Sequence, residues 1–230
     1  MPLGLFITGT DTAVGKTHVS VALLRALAAS GRRAVGMKPV AAGIEPGATV
    51  AADVAALEAA GNVDAPLADR NPFSFVPAIA PHVAAMQAGA TIDLAAIAAA
   101  YARLATSADA IVVEGAGGPL VPLDARHDML DIARRLAIPV VLVVGVRLGC
   151  LNHALAAELA IRARGLALAG WIANRIDHAM PAADASVASL AERLPAPLVA
   201  DLDWGARTLP AGALARLPVG PDPARRTSTV

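Results

Sequence analysis

Gly9-Thr10-Asp11-Thr12-Ala13-Val14-Gly15-Lys16-Thr17 follows the apolar run 3–8 and leads into the alanine-rich stretch 16–29. A glycine-bearing turn between a strand and a helix, closed by a lysine and a hydroxyl, is the setting of a phosphate-binding loop. Glycines let main-chain N–H groups turn inward around an anion, and the helix N-terminus adds positive potential. Lys16 brings a mobile charge to the terminal phosphates, and Thr17 offers its hydroxyl to Mg²⁺. The spacing departs from G-x-x-x-x-G-K-[ST], because Thr10 stands where the first glycine is expected and Gly9 lies one position earlier. The bland alternative, a glycine turn with Lys16 as an ordinary surface charge, fits the flanking pattern less well.

Outward from this loop, short β-branched runs alternate with alanine-rich helical stretches. Strands are expected over 3–8, 34–38, 110–114, 140–146 and 168–173, and helices over 16–29, 50–60, 94–105, 129–136, 151–164 and 182–194. Such alternation predicts an α/β, P-loop NTPase-like fold: a mostly parallel sheet with helices on both faces, in a single domain over 1–230. Prolines at 66, 72, 77 and 81 break up the interval 61–91, which reads as a long ordered connection beside the substrate. After Trp204 the chain is rich in Pro, Gly and Arg, and fraying is expected beyond about residue 220.

Composition narrows the partners. The chain is 56% hydrophobic with mean hydropathy +0.58, yet its longest apolar run, 138–146, stops at Arg147. That is well short of the ~20 residues a bilayer span needs. No basic residue precedes Lys16, so the charged start of a secretory signal is missing and a cytoplasmic location is expected. One cysteine, Cys150, allows no internal disulfide. With 19 basic and 19 acidic residues, no electrostatic footprint for nucleic acid or an anionic membrane exists. Small molecules are the expected partners.

A triphosphate needs a hard cation, and acids at the C-terminal ends of strands are its natural ligands. Glu114 ends the run 110–113 and precedes Gly115-Ala116-Gly117-Gly118, where small residues allow close backbone approach. Lys38, followed by Pro39, closes the second predicted strand and is placed to stabilise charge on a transferred phosphoryl group. Asp53 falls in the first turns of the next helix, where the helix dipole explains an acid equally well. Asn174 follows the last predicted strand and suits either an adenine edge or a turn. The five histidines, at 18, 82, 127, 153 and 178, lack metal-ligand spacing, and Cys150 between a strand and a helix reads as a packed thiol.

Together, the loop at 9–17, Lys38-Pro39-Val40-Ala41-Ala42-Gly43, Glu114-Gly115-Ala116-Gly117-Gly118, the stretch Val143 to His153 and Gly170-Trp171-Ile172-Ala173-Asn174 resemble the dethiobiotin synthetase family from residue 3 to about 204. The resemblance implies a homodimer that joins CO₂ (or bicarbonate) to 7,8-diaminopelargonate with ATP and Mg²⁺, closing a cyclic urea for biotin synthesis. It implies that Thr17, Asp53 and Glu114 hold Mg²⁺, and that Lys16 and Lys38 are catalytic. Thr12, Ala13, Val14, Gly15, Lys16, Thr17 and His18 would surround the phosphates, with Asp53, Glu114, Gly115, Ala116 and Gly117 also at the nucleotide. Asn174, Arg175, Leu202, Asp203 and Trp204 would meet adenine. Thr12, Lys38, Ala42, Gly118, Cys150, Leu151 and Asn152 would meet the diamine, the last three from across the dimer interface. Two residues depart from the family pattern: Ala42 replaces a serine common before Gly43, and Asp203 replaces a proline common before Trp204.

Two other families resemble the nucleotide core. Cobyrinate and cobyrate synthases share the acid-glycine motif, but they usually carry a glutaminase domain, for which this chain is expected to be too short. Partition-type regulatory ATPases share the loop, but they typically carry a lysine near its start, and no lysine precedes Lys16.

Overall fold

The computed structural model describes residues 2–218, so the fraying expected beyond 220 lies outside the described residues. Six strands form the main sheet: β1 (Leu3–Gly9), β2 (Ala34–Met37), β5 (Ala110–Glu114), β6 (Val140–Val146), β7 (Leu168–Arg175) and β8 (Leu198–Leu202). Their spatial order is β2-β5-β1-β6-β7-β8, and every pairing is parallel. A second parallel pair joins β3 (Val40–Ala42) to β4 (Phe73–Phe75). The helices are α1 (Lys16–Ala29), α2 (Ala52–Ala60), α3 (Leu67–Arg70), α4 (Pro81–Gln87), α5 (Leu94–Leu104), α6 (Met129–Leu136), α7 (Cys150–Ala163) and α8 (Ala183–Arg193), followed by a 3₁₀ turn at Ala213–Arg216.

Period-two alternation in the strands places helices on both faces. Leu5, Ile7, Val112, Val141 and Val143 pack with Val19, Leu23, Leu24 and Leu27 of α1 and with Leu57 of α2. On the opposite face, Phe6, Val35, Ile111 and Val113 meet Ile97 and Leu104 of α5 and Ile132 of α6. Farther along that face, Leu142, Val144 and Trp171 meet Ala154 of α7 and Leu190 of α8. The central strands are buried on both sides, and for that reason they read as continuous apolar runs. Among the described residues, no helix is long and apolar enough to cross a membrane.

All six predicted helices form, each within two residues of its expected ends. The strands differ more. β2 stops at Met37, because the Lys38 amide donates to Arg70 O (2.7 Å) rather than to a sheet neighbour. β7 runs on to Arg175, so Asn174 lies inside a strand that pairs with β6 and β8. The edge strand β8 was not expected: Leu198-Val199-Ala200-Asp201-Leu202 has one β-branched residue and an exposed acid, too little pattern to mark a strand. The interval 61–91 is not bare connection either, since it holds α3, β4 and α4. β4 is stabilised by pairing with β3 (Val40↔Phe73 to Ala42↔Phe75), a long-range contact that no local pattern announces.

The chain leaves β1 toward β2 on one side, returns through β5, and only then crosses to β6 on the other side. The switch in direction flanks β1, and crevices of this kind open beyond the strand ends. β1 feeds the loop at 9–17, so the loop sits over that crevice.

Leu24 of α1 is fully buried, its Cδ1 3.0 Å from where a side chain on Gly36 would begin. Leu24→Ala is expected to cost about 2–5 kcal/mol, read as a lowered urea midpoint with an unchanged m-value.

Candidate functional site

The loop is wound tightly. Ala13 (φ 60°) and Gly15 (φ 87°) both adopt left-handed backbone. Gly15 caps α1 without any side-chain hydrogen bond, and the first turn carries no acid, so neither a capping side chain nor an acid of the helix itself offsets its positive end. Val14, 1% exposed, turns its side chain into the core. A Cβ on Gly9 would stand 2.6 Å from Val14 Cγ2, and one on Gly145 would stand 2.8 Å from Val14 Cγ1. Asn174 Nδ2 donates to Val14 O at 2.9 Å and lies 2.1 Å from any Cβ placed on Gly15. The loop is therefore held from beneath by a buried valine and from the side by an asparagine amide. Its mouth is tied by Asp11, which accepts from Thr12 N (2.7 Å) and pairs with Arg147 (2.7 Å).

Beside the loop, Thr17 and Lys38 meet one carboxylate, and Asp53 joins them through Lys38. Glu114, at the end of β5, is 0% exposed. Its Oε1 accepts from Thr17 Oγ1 (2.8 Å) and Lys38 Nζ (2.7 Å), while its Oε2 is buried without a partner. Lys38 Nζ also pairs with Asp53 Oδ2 (2.9 Å) and donates to Gly115 O (3.1 Å). The Lys38 main chain is fixed on both sides, by Arg70 O at its N–H and by Asn71 Nδ2 at its carbonyl (2.7 Å). Burial depresses Lys38, but the charges of Glu114 and Asp53 outweigh it and hold its pKa above the ordinary lysine value. Lys16 behaves oppositely: burial, reinforced by the Lys38 charge, brings it down to about 8 against the pull of Glu114, Asp11 and Asp53. Its ammonium rests on Asp11 O at 2.9 Å.

These groups open into a cavity of about 680 Å³ lined by Thr12, Ala13, Gly15, Lys16, Thr17, Lys38, Ala42, Asp53, Glu114, Ala116 and Gly117. Most of the predicted phosphate, metal and catalytic residues thus share one space. Val14 and Gly115 do not line it: the Val14 side chain is in the core with its carbonyl accepting from Asn174, and the Gly115 carbonyl accepts from Lys38. His18 is half-buried on α1, and Gly118 has Gly9 O as its near neighbour. Ala78, Ile79, Ala80, Pro81 and Val121 also line the cavity. None of these five was expected at the site individually, though the proline-broken interval 61–91, read as lying beside the substrate, contains the first four. Asn71 was missed as well; its role depends on the folded course of 70–73 around Lys38.

Arg175, Asp203 and Trp204 line a second cavity of about 500 Å³ with Asp177, His178 and Asp184. The rings of Trp204 and His178 stand 5.4 Å apart, and Trp204 is 61% exposed. Arg175 is held by Asp201 and Asp184 (2.7 and 2.6 Å), which raise its pKa further. Leu202 is 2% exposed, so its side chain belongs to the core. Cys150, Leu151 and Asn152, at the start of α7, line neither cavity. The Cys150 thiol is buried, and its amide turns back onto Arg147 O (3.0 Å), so that amide is not available to a ligand carboxylate. The exposed Leu151 and Asn152 remain at the open end of that helix.

A family described as AAA domain matches residues 3–210. A protein of Aromatoleum aromaticum named ATP-dependent dethiobiotin synthetase BioD is 50% identical over 218 residues, covering 94% of this chain and 97% of that one. One of Nitrosospira multiformis with the same name is 50% identical over 204 residues, covering 89% of each. Among solved structures, the septum site-determining protein MinD of Pyrococcus horikoshii, complexed with Mg-ADP, superposes with a TM-score of 0.57 at 20% identity, over 95% of this chain and 88% of that one. A chain of the MinC:MinD cell division protein complex of Aquifex aeolicus gives 0.53 at 14%, over 93% of this chain and 84% of that one. At such identity the likeness to MinD is one of fold.

Gly15→Ala is expected to leave far-UV circular dichroism intact while weakening adenine-nucleotide binding at least about tenfold, since the left-handed backbone alone disfavours Ala by roughly 1–2 kcal/mol before the collision with Asn174. Unchanged affinity by calorimetry would remove the loop from the nucleotide site.

Proposed function

Because the chain belongs to the dethiobiotin synthetase family, we propose that it converts 7,8-diaminopelargonate and CO₂ to the cyclic urea dethiobiotin with ATP, releasing ADP and phosphate. We take residues 1–230 as one such synthetase domain, acting as a cytoplasmic homodimer. The observation that carries the reading is the convergence of Lys16, Thr17, Lys38, Asp53 and Glu114 on one cavity beside the loop. Three needs of phosphoryl transfer are thereby served from one wall: anion grip, cation ligands and charge stabilisation.

The residues suit Mg²⁺. Thr17, Asp53 and Glu114 offer only oxygen donors, and Glu114 Oε2 is buried and unpartnered. Among the described residues no group of three His, Cys, Asp or Glu could hold a metal by itself. Two carboxylates and a hydroxyl suit an ion that completes its shell with phosphate oxygens and water. When bound, Mg²⁺ would offset charge on the terminal phosphates.

One amine of the substrate takes up CO₂ to give a carbamate. A carbamate oxygen attacks the γ-phosphorus of ATP, ADP leaves, and the neighbouring amine displaces phosphate from the mixed anhydride as the ring closes. In this sequence the loop amides and Lys16 hold the phosphates in line, and Lys38 bears on the carbamate and the transferred phosphoryl group. Positioning and charge do most of the work. Burial lowers Lys16 to about 8, so it is still mostly protonated at neutral pH, and a polyanion beside it would hold that form more firmly. Ala42 lines the cavity without a hydroxyl, so the diamine is held there by other contacts. The adenine would lie toward Asn174, Arg175 and the backbone of Leu202 to Trp204, and Leu151 and Asn152 would meet the substrate carboxylate of the partner subunit's site.

Phosphate release should require both the diamine and bicarbonate; release indifferent to either would point instead to a switch-type ATPase. Lys16→Ala is expected to reduce turnover at least about 100-fold, and Glu114→Ala to raise the Mg²⁺ concentration needed for half-maximal rate. Near-normal rates in either variant at limiting Mg²⁺ would overturn the role assigned to that residue.

A further inference from the structure

Lys38 Nζ lies 2.7 Å from Glu114 Oε1 and 2.9 Å from Asp53 Oδ2, the two carboxylates assigned to the cation. Both the lysine and Glu114 side chains are almost wholly sequestered, at 5% and 0% exposure. Building on the proposed function, we infer that the Lys38 ammonium and the divalent cation are alternative occupants of this carboxylate pair, so that loading the cation is what directs Lys38 onto the reacting groups.

The geometry leaves little room for both. A divalent ion held by these carboxylates would take donor distances of about 2.0–2.1 Å, shorter than the 2.7 and 2.9 Å at which Nζ sits, and two cations side by side in a buried site repel strongly. A buried carboxylate must have a partner to stay charged. Lys38 is that partner in one state, and the cation takes over in the other. Glu114 Oε2, buried and unbonded, shows that Lys38 does not satisfy the carboxylate completely.

Lys38 can move only through its side chain, because Arg70 O and Asn71 Nδ2 grip its backbone on both sides. The cavity it lines with Thr12, Lys16 and Ala42 is the space open to it. The displaced ammonium would therefore face the carbamate and the γ-phosphoryl group. Mg²⁺ and nucleotide then act on Lys38 before the diamine does, and the lysine serves first as a counterion and later as a stabiliser of transferred charge.

The test is Mn²⁺ binding without nucleotide, followed by electron paramagnetic resonance, in the wild type and in Lys38→Gln, which keeps a hydrogen-bond donor near Glu114. Removing the competing charge should tighten Mn²⁺ at least about tenfold, and Mn²⁺ should raise the Tm of Lys38→Gln more than that of the wild type. Equal affinities and equal Tm shifts would overturn the inference. If Lys38→Gln does not fold, reductive methylation of the wild type read by mass spectrometry replaces it. Lys38 should be modified faster with Mn²⁺ and ADP than with neither, and equal rates would count against displacement. Mn²⁺·ADP binding that is lost in Glu114→Ala, with no effect of Lys38→Gln, would sink the inference while leaving the metal assignment standing. Failure of the wild type to bind Mn²⁺·ADP would sink the assignment itself.

Discussion

A carboxylate cut off from water at the end of an inner strand is the constraint around which this site is organised. A carboxylate so placed must be met by positive charge or hydrogen-bond donors from elsewhere in the chain. Thr17 comes from the helix after β1, Lys38 from the end of β2, and Asp53, through Lys38, from α2. Those contacts pin three segments distant in sequence to one strand end. Removing one partner leaves the others buried and uncompensated, so the constellation stands or falls together. Arg70 and Asn71 hold the lysine's backbone on both sides, which fixes the root of the side chain that reaches Glu114.

Much of this was readable along the chain, and the physical reason lies in the local nature of the signals. β1, β5 and β6 announce themselves because central parallel strands are apolar on both faces, and Gly15-Lys16-Thr17 announces the loop because glycine, lysine and hydroxyl each have a distinct task there. Glu114 and Lys38 were legible as strand-end residues beside glycine and proline. β8 was not legible, because an edge strand with an exposed Asp201 needs little apolar pattern. Nor were β3 and β4, whose three-residue lengths are sustained by each other. Asn71, Ile79 and Val121 were invisible for a related reason: their importance arises only when distant segments close over the cavity.

The loop's departure from the usual glycine spacing has a visible accommodation. Thr10 occupies the expected glycine position, and its Oγ1 accepts from Gly145 N at 3.3 Å, so the hydroxyl joins the loop to β6. Glycine is instead required where Val14 plugs the core, at positions 9 and 145, and where Asn174 presses against the helix start, at 15. The small residues thus record close approach of other atoms as much as backbone freedom.

The two tryptophans have unrelated surroundings, and this gives the protein a pair of intrinsic optical reporters. Trp171 is sealed in the sheet interior with its Nε1 unbonded, whereas Trp204 stands largely in solvent against His178. Their emission should therefore separate in colour, the sealed indole to the blue and the wet one to the red. A change at the red edge would report on events in the groove by His178 without any label, while the blue component followed unfolding of the sheet.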